Sequence, residues 1–269
     1  MNRFGLYLLL FVVLITMLFP LWYMVVGALS ADPTAPPGTD DLIPTNPRWS
    51  NFAEAWGVAH FPRAVLNSIL VALAVTAGNL VFALMAGYAL ARGKGRWPRF
   101  WAASILAIMM MPAHVLIIPL FVEMQAFGWI DTYAALIVPF LVNPIAVFIM
   151  RQYIASLPSE LEDAARVDGA GEFYILFRIV APLCKPAMAV VAIQIFLLNW
   201  NMFLFPFIFT TRPEMRTLPV ALAFFQGFQQ INWPHLLAAS TLATIPILLV
   251  FLLFQRQIIS GLTAGALKE

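Results

Sequence analysis

Hydrophobic residues along this chain fall into six long runs separated by shorter, more polar segments. A helix needs about 20 consecutive, mostly apolar residues to cross the hydrocarbon core of a bilayer, and each run approaches or exceeds that length. The pattern therefore predicts an all-α integral membrane protein, a single transmembrane domain over residues 1–269. Its six predicted spans are Leu6–Leu29, Ala64–Ala91, Phe100–Val122, Ala134–Tyr153, Ala187–Phe209 and Leu236–Phe254.

The first run has two interpretations. Arg3 and the small residues Ala28-Leu29-Ser30-Ala31 resemble the two ends of a secretory signal peptide. The apolar part of a signal peptide is only about 7–15 residues long, whereas this run extends from Leu6 to Leu29. We therefore favour an uncleaved first helix.

Composition and charge support a membrane protein and predict its orientation. Hydrophobic residues make up 62% of the chain and charged residues 10%, against about 25% charged in soluble proteins. Cytoplasmic segments carry an excess of Lys and Arg. With the N-terminus inside, eleven of the 15 basic residues lie on the cytoplasmic side, and the remaining four are Arg48, Arg63, Arg212 and Arg216. Both termini are thus predicted to be cytoplasmic.

A short amphipathic segment lies in the predicted cytoplasmic loop 156–183. Pro158 disfavours helix at the residue before it. Ser159 and Glu162 have the spacing of a capping box, in which each side chain bonds a free backbone N–H at the start of a helix. Gly169 can adopt the left-handed conformation that ends a helix. The sequence therefore predicts a helix of about eight residues over 159–168.

Isolated helices shorter than about 12–15 residues are marginal in water, so this helix needs a surface to pack against. The small residues Ala164, Ala165 and Ala170 would permit close approach. Two interpretations stay open on this pattern alone: an ordinary loop packed on its own bundle, or a segment that docks on a partner.

The run Glu162-Asp163-Ala164-Ala165-Arg166-Val167-Asp168-Gly169-Ala170, with Phe173, Ile179 and Pro182-Leu183 after it, resembles the EAA loop of ABC importer permeases. Other features are similar to the smaller permease of maltose-type carbohydrate importers. They are Asn67-Ser68, Trp200-Asn201 with Phe203, and the C-terminal run from Gly261 to Lys268. The resemblance covers about residues 60–269.

This resemblance implies a type I ABC permease fold with a coupling helix between helices 4 and 5. The residues implied to contact a cytoplasmic ATPase are Ser159, Glu162, Asp163, Ala164, Ala165, Asp168, Gly169 and Ala170. A second implied ATPase contact is C-terminal, at Gly261, Leu262, Thr263 and Gly265. The first letter of the family's E-A-A is here Asp163, with Glu162 just before it, so either carboxylate could make the partner contact.

The same resemblance implies the setting of the protein. It would lie in a bacterial inner membrane with a second homologous permease, a dimer of ATPase subunits and an extracytoplasmic solute-binding protein. ATP and magnesium would be bound by the ATPase subunits, and no cofactor by this chain.

No motif for catalysis or metal binding stands out in the sequence. The segment from Gly87 to Gly95 has five residues between the glycines of a phosphate loop instead of four, and it lacks the Ser or Thr that binds magnesium. His60, His114 and His235 lack the spacing of metal ligands, and Cys184 is a lone cysteine. We predict no catalytic residue and no metal site. The net charge of +2 gives no indication of nucleic-acid binding.

Polar residues inside the predicted spans are candidates for the solute path, because such residues face a cavity or a neighbouring helix. Neutral amides beside aromatic rings suit a polyhydroxylated solute such as a sugar. Glycerol phosphate or a polyol is the near alternative, and an ion-coupled secondary transporter is the alternative of a different class. The candidate residues are Asn79, Asn143, Gln194, Asn199, Trp200 and Asn201.

Overall fold

The computed structural model of the chain describes residues 3–38, 42–58, 60–225 and 231–266, with side chains up to Gln255. Within these residues the regular structure is helical throughout. The main helices are α1 Arg3–Ala28, α2 Ser50–Gly57, α3 Phe61–Arg92, α4 Arg96–Met109, α5 Ile117–Ala126, α6 Tyr133–Ile137, α7 Pro144–Ala155, α8 Glu160–Val167, α9 Glu172–Tyr174, α10 Ala181–Leu183, α11 Lys185–Trp200, α12 Leu204–Phe209, α13 Leu218–Phe224 and α14 Trp233–Ala266. Short 3₁₀ turns at Ala113–Leu116, Val138–Phe140 and Pro213–Met215, and a π-helix at Ile175–Val180, join some of them.

The apolar helices of the described chain support between four and six spans, and several of the predicted spans are not continuous. Four helical stretches of the described chain are long and apolar enough to cross a membrane, and the number rises to six when each of two bent pairs is counted as one span. The prediction of an all-α membrane protein is therefore confirmed.

Three of the spans predicted as continuous are interrupted, and proline lies at each interruption. The third is bent by 92° between α4 and Ala113–Ala126, beside Pro112. The fourth restarts at Pro144 with Asn143 as its cap. The fifth ends at Trp200 and restarts at Leu204, where Pro206 has no N–H to offer the carbonyl of Met202. A proline removes one helical hydrogen bond and its ring clashes with the preceding turn, which accounts for a break near each proline. The sequence did not predict these breaks because the residues on both sides of each proline are apolar.

The chain divides into two compact units, each built from segments distant in sequence. The first comprises Met1–Val65 and Thr217–Leu249, and the second comprises Leu66–Arg216 and Val250–Glu269. The single domain over residues 1–269 stays a prediction.

In the first unit, the end of α1 is held by close packing and by an amide. A side chain at Gly27 would lie 2.3 Å from Leu237 Cδ1 and 2.6 Å from Pro37 Cγ, so only glycine fits there. The Asn51 amide donates to the carbonyls of Ala28 and Ser30, at 2.9 and 2.8 Å. These contacts anchor the loop after α1.

The second unit contains a continuous hydrophobic core made from α3, α7 and the helices that follow α8. The fully buried side chains at its centre include Val75, Leu84, Met150, Ile154, Ile175, Ile195 and Phe209. In the same unit, Asn67 Nδ2 donates to the carbonyls of Glu214 and Arg216 at 2.8 and 2.9 Å, while Tyr133 Oη donates to Asn67 Oδ1 at 2.7 Å. The Asn67-Ser68 motif is thus a structural brace.

Helices α3 and α7 lie in close contact at Gly87. A Cβ atom there would lie 2.8 Å from Met150 Cβ and 2.9 Å from the backbone nitrogen of Arg151. We expect Gly87→Ala to lower the free energy of unfolding, because overpacking against backbone costs about 1–3 kcal/mol and outweighs the gain of about 1 kcal/mol in helix propensity. Thermal unfolding of the purified protein measures this.

Gly78→Ala is the matched control on the same helix. Its added Cβ would meet only the tip of the Leu141 side chain, at 2.4 Å, and a leucine side chain can rotate away. We expect unchanged or slightly higher stability for Gly78→Ala. Equal destabilisation by the two substitutions would contradict the assignment of Gly87 as the contact point of the helices.

Candidate coupling site

The short cytoplasmic helix predicted from sequence is present as α8, Glu160–Val167. Its first turn contains Glu160, Glu162 and Asp163, which stabilise the positive end of the helix dipole. Gly169 has φ +83°, the left-handed conformation that glycine adopts without strain, and its N–H donates to the carbonyl of Arg166 at 3.0 Å. The predicted end of the helix is confirmed.

The predicted capping box is wrong. Ser159 makes no side-chain capping bond and has a helical conformation. Glu162, its proposed partner, is 1% exposed and its carboxylate turns towards α3 instead. The reason is that an arginine at the end of α3 binds this carboxylate more strongly than a backbone N–H does.

Glu162 and Arg92 form a buried ion pair that fastens α8 to the end of α3. Glu162 Oε1 lies 2.9 Å from Arg92 Nε and 2.8 Å from Arg92 Nη2. Arg92 Nη2 also donates to the carbonyl of Leu157 at 2.9 Å, just before Pro158. One guanidinium thereby fixes both the start of α8 and its inward face.

Arg166 links α8 to the segment that follows it. Its guanidinium lies 2.8 Å from Glu172 Oε1 and 2.8 Å from Asp163 Oδ1, and Nη2 donates to Tyr88 Oη at 3.1 Å. Glu162 Oε2 is 3.7 Å from Arg166 Nη2, which is a charge contact and too long for a hydrogen bond. The hydrogen bond from Arg166, followed by that from Tyr88, lowers the pKa of Glu172. The hydrogen bond to Glu172 is in turn the main reason why the pKa of Arg166 is raised.

The opposite face of α8 is exposed and combines apolar with acidic side chains. Leu161 and Val167 are 52% and 88% exposed, and Ala164 between them is also exposed. Ala165 and Ala170 are half-buried and pack against the hydrophobic core. Asp163 and Asp168 are exposed, so Asp163 is the carboxylate available to a partner and Glu162 is internal.

The sequence pattern did not identify four residues that build this site. Tyr88, Arg92, Arg166 and Glu172 join α3, α8 and α9 through the contacts above, yet none belongs to the predicted contact set. Of these four, Arg92 could have been suspected from the sequence. It is a charged residue at the end of a long apolar run, and such residues often pair with a carboxylate. Its partner in the following loop could not be chosen from spacing.

The C-terminal prediction falls at the edge of the described residues. Gly261, Leu262, Thr263 and Gly265 belong to the backbone of α14, their side chains lie outside the described residues, and so does Lys268. An ATPase contact by this segment stays a prediction.

Two of the predicted solute-path residues are brought together by the structure. Asn79 is fully buried, and its Nδ2 donates to the carbonyls of Val75 and Phe140 at 2.9 and 2.8 Å. Its Oδ1 accepts from the backbone N–H of Asn143 at 2.6 Å, while Asn143 Oδ1 caps α7 by accepting from Ile145 N–H at 2.9 Å. In this conformation the Asn79 side chain stabilises the interruption before α7, and backbone groups bond both its amide nitrogen and its amide oxygen.

The other candidates lie along α11 and just after it. Asn199 Nδ2 donates to the carbonyl of Ile195 at 2.9 Å, and its Oδ1 is buried without a hydrogen-bond partner in the described structure. Trp200 is buried and stacks on Phe196 with ring centres 5.7 Å apart. Gln194 is half-buried, and Asn201 is exposed. Solute contact by these residues stays a prediction.

If Asn79 is a structural brace and not a solute contact, its replacement should lower the stability of the protein even without solute. We expect Asn79→Leu to lower the free energy of unfolding by about 1–3 kcal/mol for each backbone group left unpaired, those groups being Phe140 C=O and Asn143 N–H. Asn201→Leu is the matched control, because the Asn201 amide bonds only the carbonyl of Leu197 in its own helix. Thermal unfolding without solute compares the two, and equal midpoints would contradict the brace.

Within the residues that the structure describes, no three His, Cys, Asp or Glu side chains are placed to hold a metal ion.

Comparison with known proteins connects this site to a family. Residues 79–263, more than half of the chain, match the family described as "Binding-protein-dependent transport system inner membrane component". This range includes all of α8 and the residues that bind it in the following segment.

Curated relatives and solved structures agree with this match. The chain is 36% identical to the trehalose/maltose transport system permease protein MalG of Thermococcus litoralis, over 93% of this chain and 91% of that protein. It is 37% identical to the arabinooligosaccharides transport system permease protein AraQ of Bacillus subtilis, over 93% and 90%.

Among solved structures, one chain of a bacterial ABC transporter involved in the import of the acidic polysaccharide alginate superimposes with a TM-score of 0.83. The two chains are 23% identical, over 95% of this chain and 96% of that chain. At this identity the likeness shows the fold, which is that of ABC importer permeases. The family match over most of α3 to α14 and the two full-length relatives lead to one conclusion: the chain belongs to the inner membrane components of binding-protein-dependent transport systems.

Proposed function

We propose that this chain is the permease subunit of an ATP-driven importer for a sugar or oligosaccharide, working with a second permease subunit. The observation that carries the proposal is the construction of α8. One face is fastened to the membrane bundle by the Glu162–Arg92 pair, and the other presents Leu161, Ala164 and Val167 to the exterior. A helix held in this way can transmit a push or pull from a partner to α3.

The solute class rests on the relatives, whose names state trehalose, maltose and arabinooligosaccharides. Neutral amides and aromatic rings near the α11 break suit such solutes, because amides hydrogen-bond hydroxyl groups and rings cover the apolar faces of sugars. An extracytoplasmic binding protein would deliver the solute, and the family's description, which names a binding-protein-dependent transport system, supports this.

In the proposed mechanism, hydrolysis takes place in two cytoplasmic ATPase subunits, which bind ATP and magnesium. Closure of these subunits moves α8, and α8 moves α3 through the Glu162–Arg92 pair. Such rigid-body motion alternates access to the solute path. The chain itself supplies position and transmission, with no bond-breaking chemistry of its own.

The proposed placement is a bacterial inner membrane, with both termini and α8 in the cytoplasm. The excess of basic residues on that side supports it. The ATPase subunits must then approach α8 from the cytoplasm, where ATP is available.

The test is co-purification with the candidate ATPase and measurement of solute-stimulated ATP hydrolysis. Gly169→Pro should abolish assembly or stimulation, since proline requires φ near −65° and Gly169 has φ +83°. Gly171→Pro is the matched control, because Gly171 has φ −75°, which proline accepts. A Gly169→Pro complex with normal coupling would refute the assignment of α8.

A further inference from the structure

The turn between α3 and α4 concentrates unpaired positive charge. Lys94, Arg96 and Arg99 lie within six residues of one another and are all exposed. No ion pair involves any of them in the described part of the chain, whereas Arg48, Arg92 and Arg166 each pair with a carboxylate. Between Glu54 and Glu123 the sequence contains no acidic residue at all, so this charge has no local compensation.

The backbone of the turn brings these three side chains together. A Cβ at Gly93 would lie 2.6 Å from Pro98 Cγ, so the turn folds tightly back on itself. Gly95 has φ +98°, a conformation that favours glycine. Arg92 points away towards Glu162, which leaves Lys94, Arg96 and Arg99 as the charged rim.

Directly beside this rim lies a cluster of exposed aromatic residues. Trp97, Phe100 and Trp101 are 73%, 57% and 55% exposed. Phe100 contacts Trp97 and Trp101 edge to face, with ring centres 6.3 and 5.3 Å apart. The described structure fully buries no residue of α4, so the exposed side of this helix is free to face lipid. Aromatic rings of this kind are enriched at the level of the lipid head groups.

We propose that Lys94, Arg96, Arg99, Trp97, Phe100 and Trp101 form a binding surface for anionic phospholipid head groups. Trp97, Phe100 and Trp101 would lie at the border of the acyl chains, and the three cations would contact the phosphates, as basic clusters on the cytoplasmic side of spans do. The surface thus fits phosphatidylglycerol or a chemically similar lipid better than a zwitterionic one. It rests on the cytoplasmic placement of this turn under "Proposed function".

This surface lies next to the ion pair that holds α8, within the second unit. The turn begins directly after Arg92, and Arg92 holds α8 through Glu162. A bound head group would therefore fix the end of α3 from the lipid side at the point where α8 is fastened from the cytoplasmic side. We infer that anionic lipid stiffens the connection through which α8 acts.

The test uses the full chain with the partner subunits that co-purify with it, in the absence of solute and ATP. Native mass spectrometry measures the dissociation constants of short-chain phosphatidylglycerol and phosphatidylcholine. We expect tighter binding of phosphatidylglycerol, weakened by salt. Arg96→Gln/Arg99→Gln should weaken it by at least about fivefold, the effect of one basic residue near a charged membrane surface, and leave phosphatidylcholine binding unchanged.

Two matched variants make the test specific. Arg178→Gln/Lys185→Gln removes the same charge from two exposed positions, one in the π-helix after α8 and one at the start of α11, and should retain phosphatidylglycerol binding. Arg96→Lys/Arg99→Lys should retain it as well. Unchanged lipid binding by Arg96→Gln/Arg99→Gln, or an equal loss in the Arg178→Gln/Lys185→Gln control, would overturn the proposal. Loss of the ATPase subunit with unchanged lipid binding would show that the surface binds protein and would overturn it as well. Since no transport is measured, failure of sugar import leaves these outcomes unaffected.

Discussion

Replacement of Arg92 by methionine is expected to have the largest effect on this protein. Glu162 would then remain as a buried carboxylate without its ion-pair partner, and the Leu157 carbonyl would lose its donor. Removing one member of a buried ion pair costs about 3–5 kcal/mol, a large part of the 5–15 kcal/mol that stabilises an ordinary domain. We expect a clear fall in the midpoint of thermal unfolding and loss of coupled ATP hydrolysis in the reconstituted complex.

Two further variants distinguish the loss of the Arg92–Glu162 ion pair from a general effect of removing a positive charge. Arg92→Met/Glu162→Met should recover most of the stability, because replacement of both partners by apolar residues is often neutral. Arg178→Met, at an exposed position after α8, should change the free energy of unfolding by no more than about 0.5 kcal/mol. If Arg92→Met alone were as stable as the wild type, the pair would not be what fastens α8.

Ala164→Trp is expected to leave the fold intact and abolish coupling. Ala164 is exposed on the outer face of α8, so the indole ring meets solvent in the isolated chain. In a complex it would fill the space into which the ATPase must fit. Since overpacking costs about 1–3 kcal/mol, we expect the affinity for the ATPase to fall roughly fivefold to a hundredfold. Binding of the purified ATPase and its hydrolysis rate measure this loss.

Ser156→Trp serves as the control for this substitution. Ser156 is exposed at the end of α7, before Pro158, and its hydroxyl bonds only the carbonyl of Tyr153. The control should bind the ATPase normally, and both variants should unfold at the wild-type temperature. Normal ATPase binding by Ala164→Trp would exclude the outer face of α8 as the docking surface.

The all-helical membrane fold and the position of α8 along the chain were predictable because each depends on local composition. Six apolar runs of sufficient length can only be buried in lipid, and Gly169 marks the end of α8 through its own backbone freedom. Continuity of the spans was less predictable. Pro112, Pro144 and Pro206 lie in apolar runs that remain long enough to cross the membrane, and a hydropathy pattern does not distinguish a kink from a break.

The side-chain contacts that build the candidate coupling site could be identified only from the structure. The Ser159 and Glu162 spacing favours a capping box, but Glu162 is also within reach of Arg92, 70 residues earlier in the chain. A guanidinium that donates two charge-assisted hydrogen bonds to a carboxylate binds it more strongly than a single backbone N–H does, and sequence spacing contains no information about such a distant partner. The same applies to Asn79, whose amide partner Asn143 is 64 residues away.

The interruptions at 110–112 and 201–203 also limit where this chain can exist on its own. Peptide groups outside a helix cannot face hydrocarbon, because nothing there hydrogen-bonds them. Met110, in the first interruption, is 84% exposed in this chain. We therefore expect water or another polypeptide to cover that stretch in the membrane, and a subunit without its partners to be a ready substrate for membrane proteases.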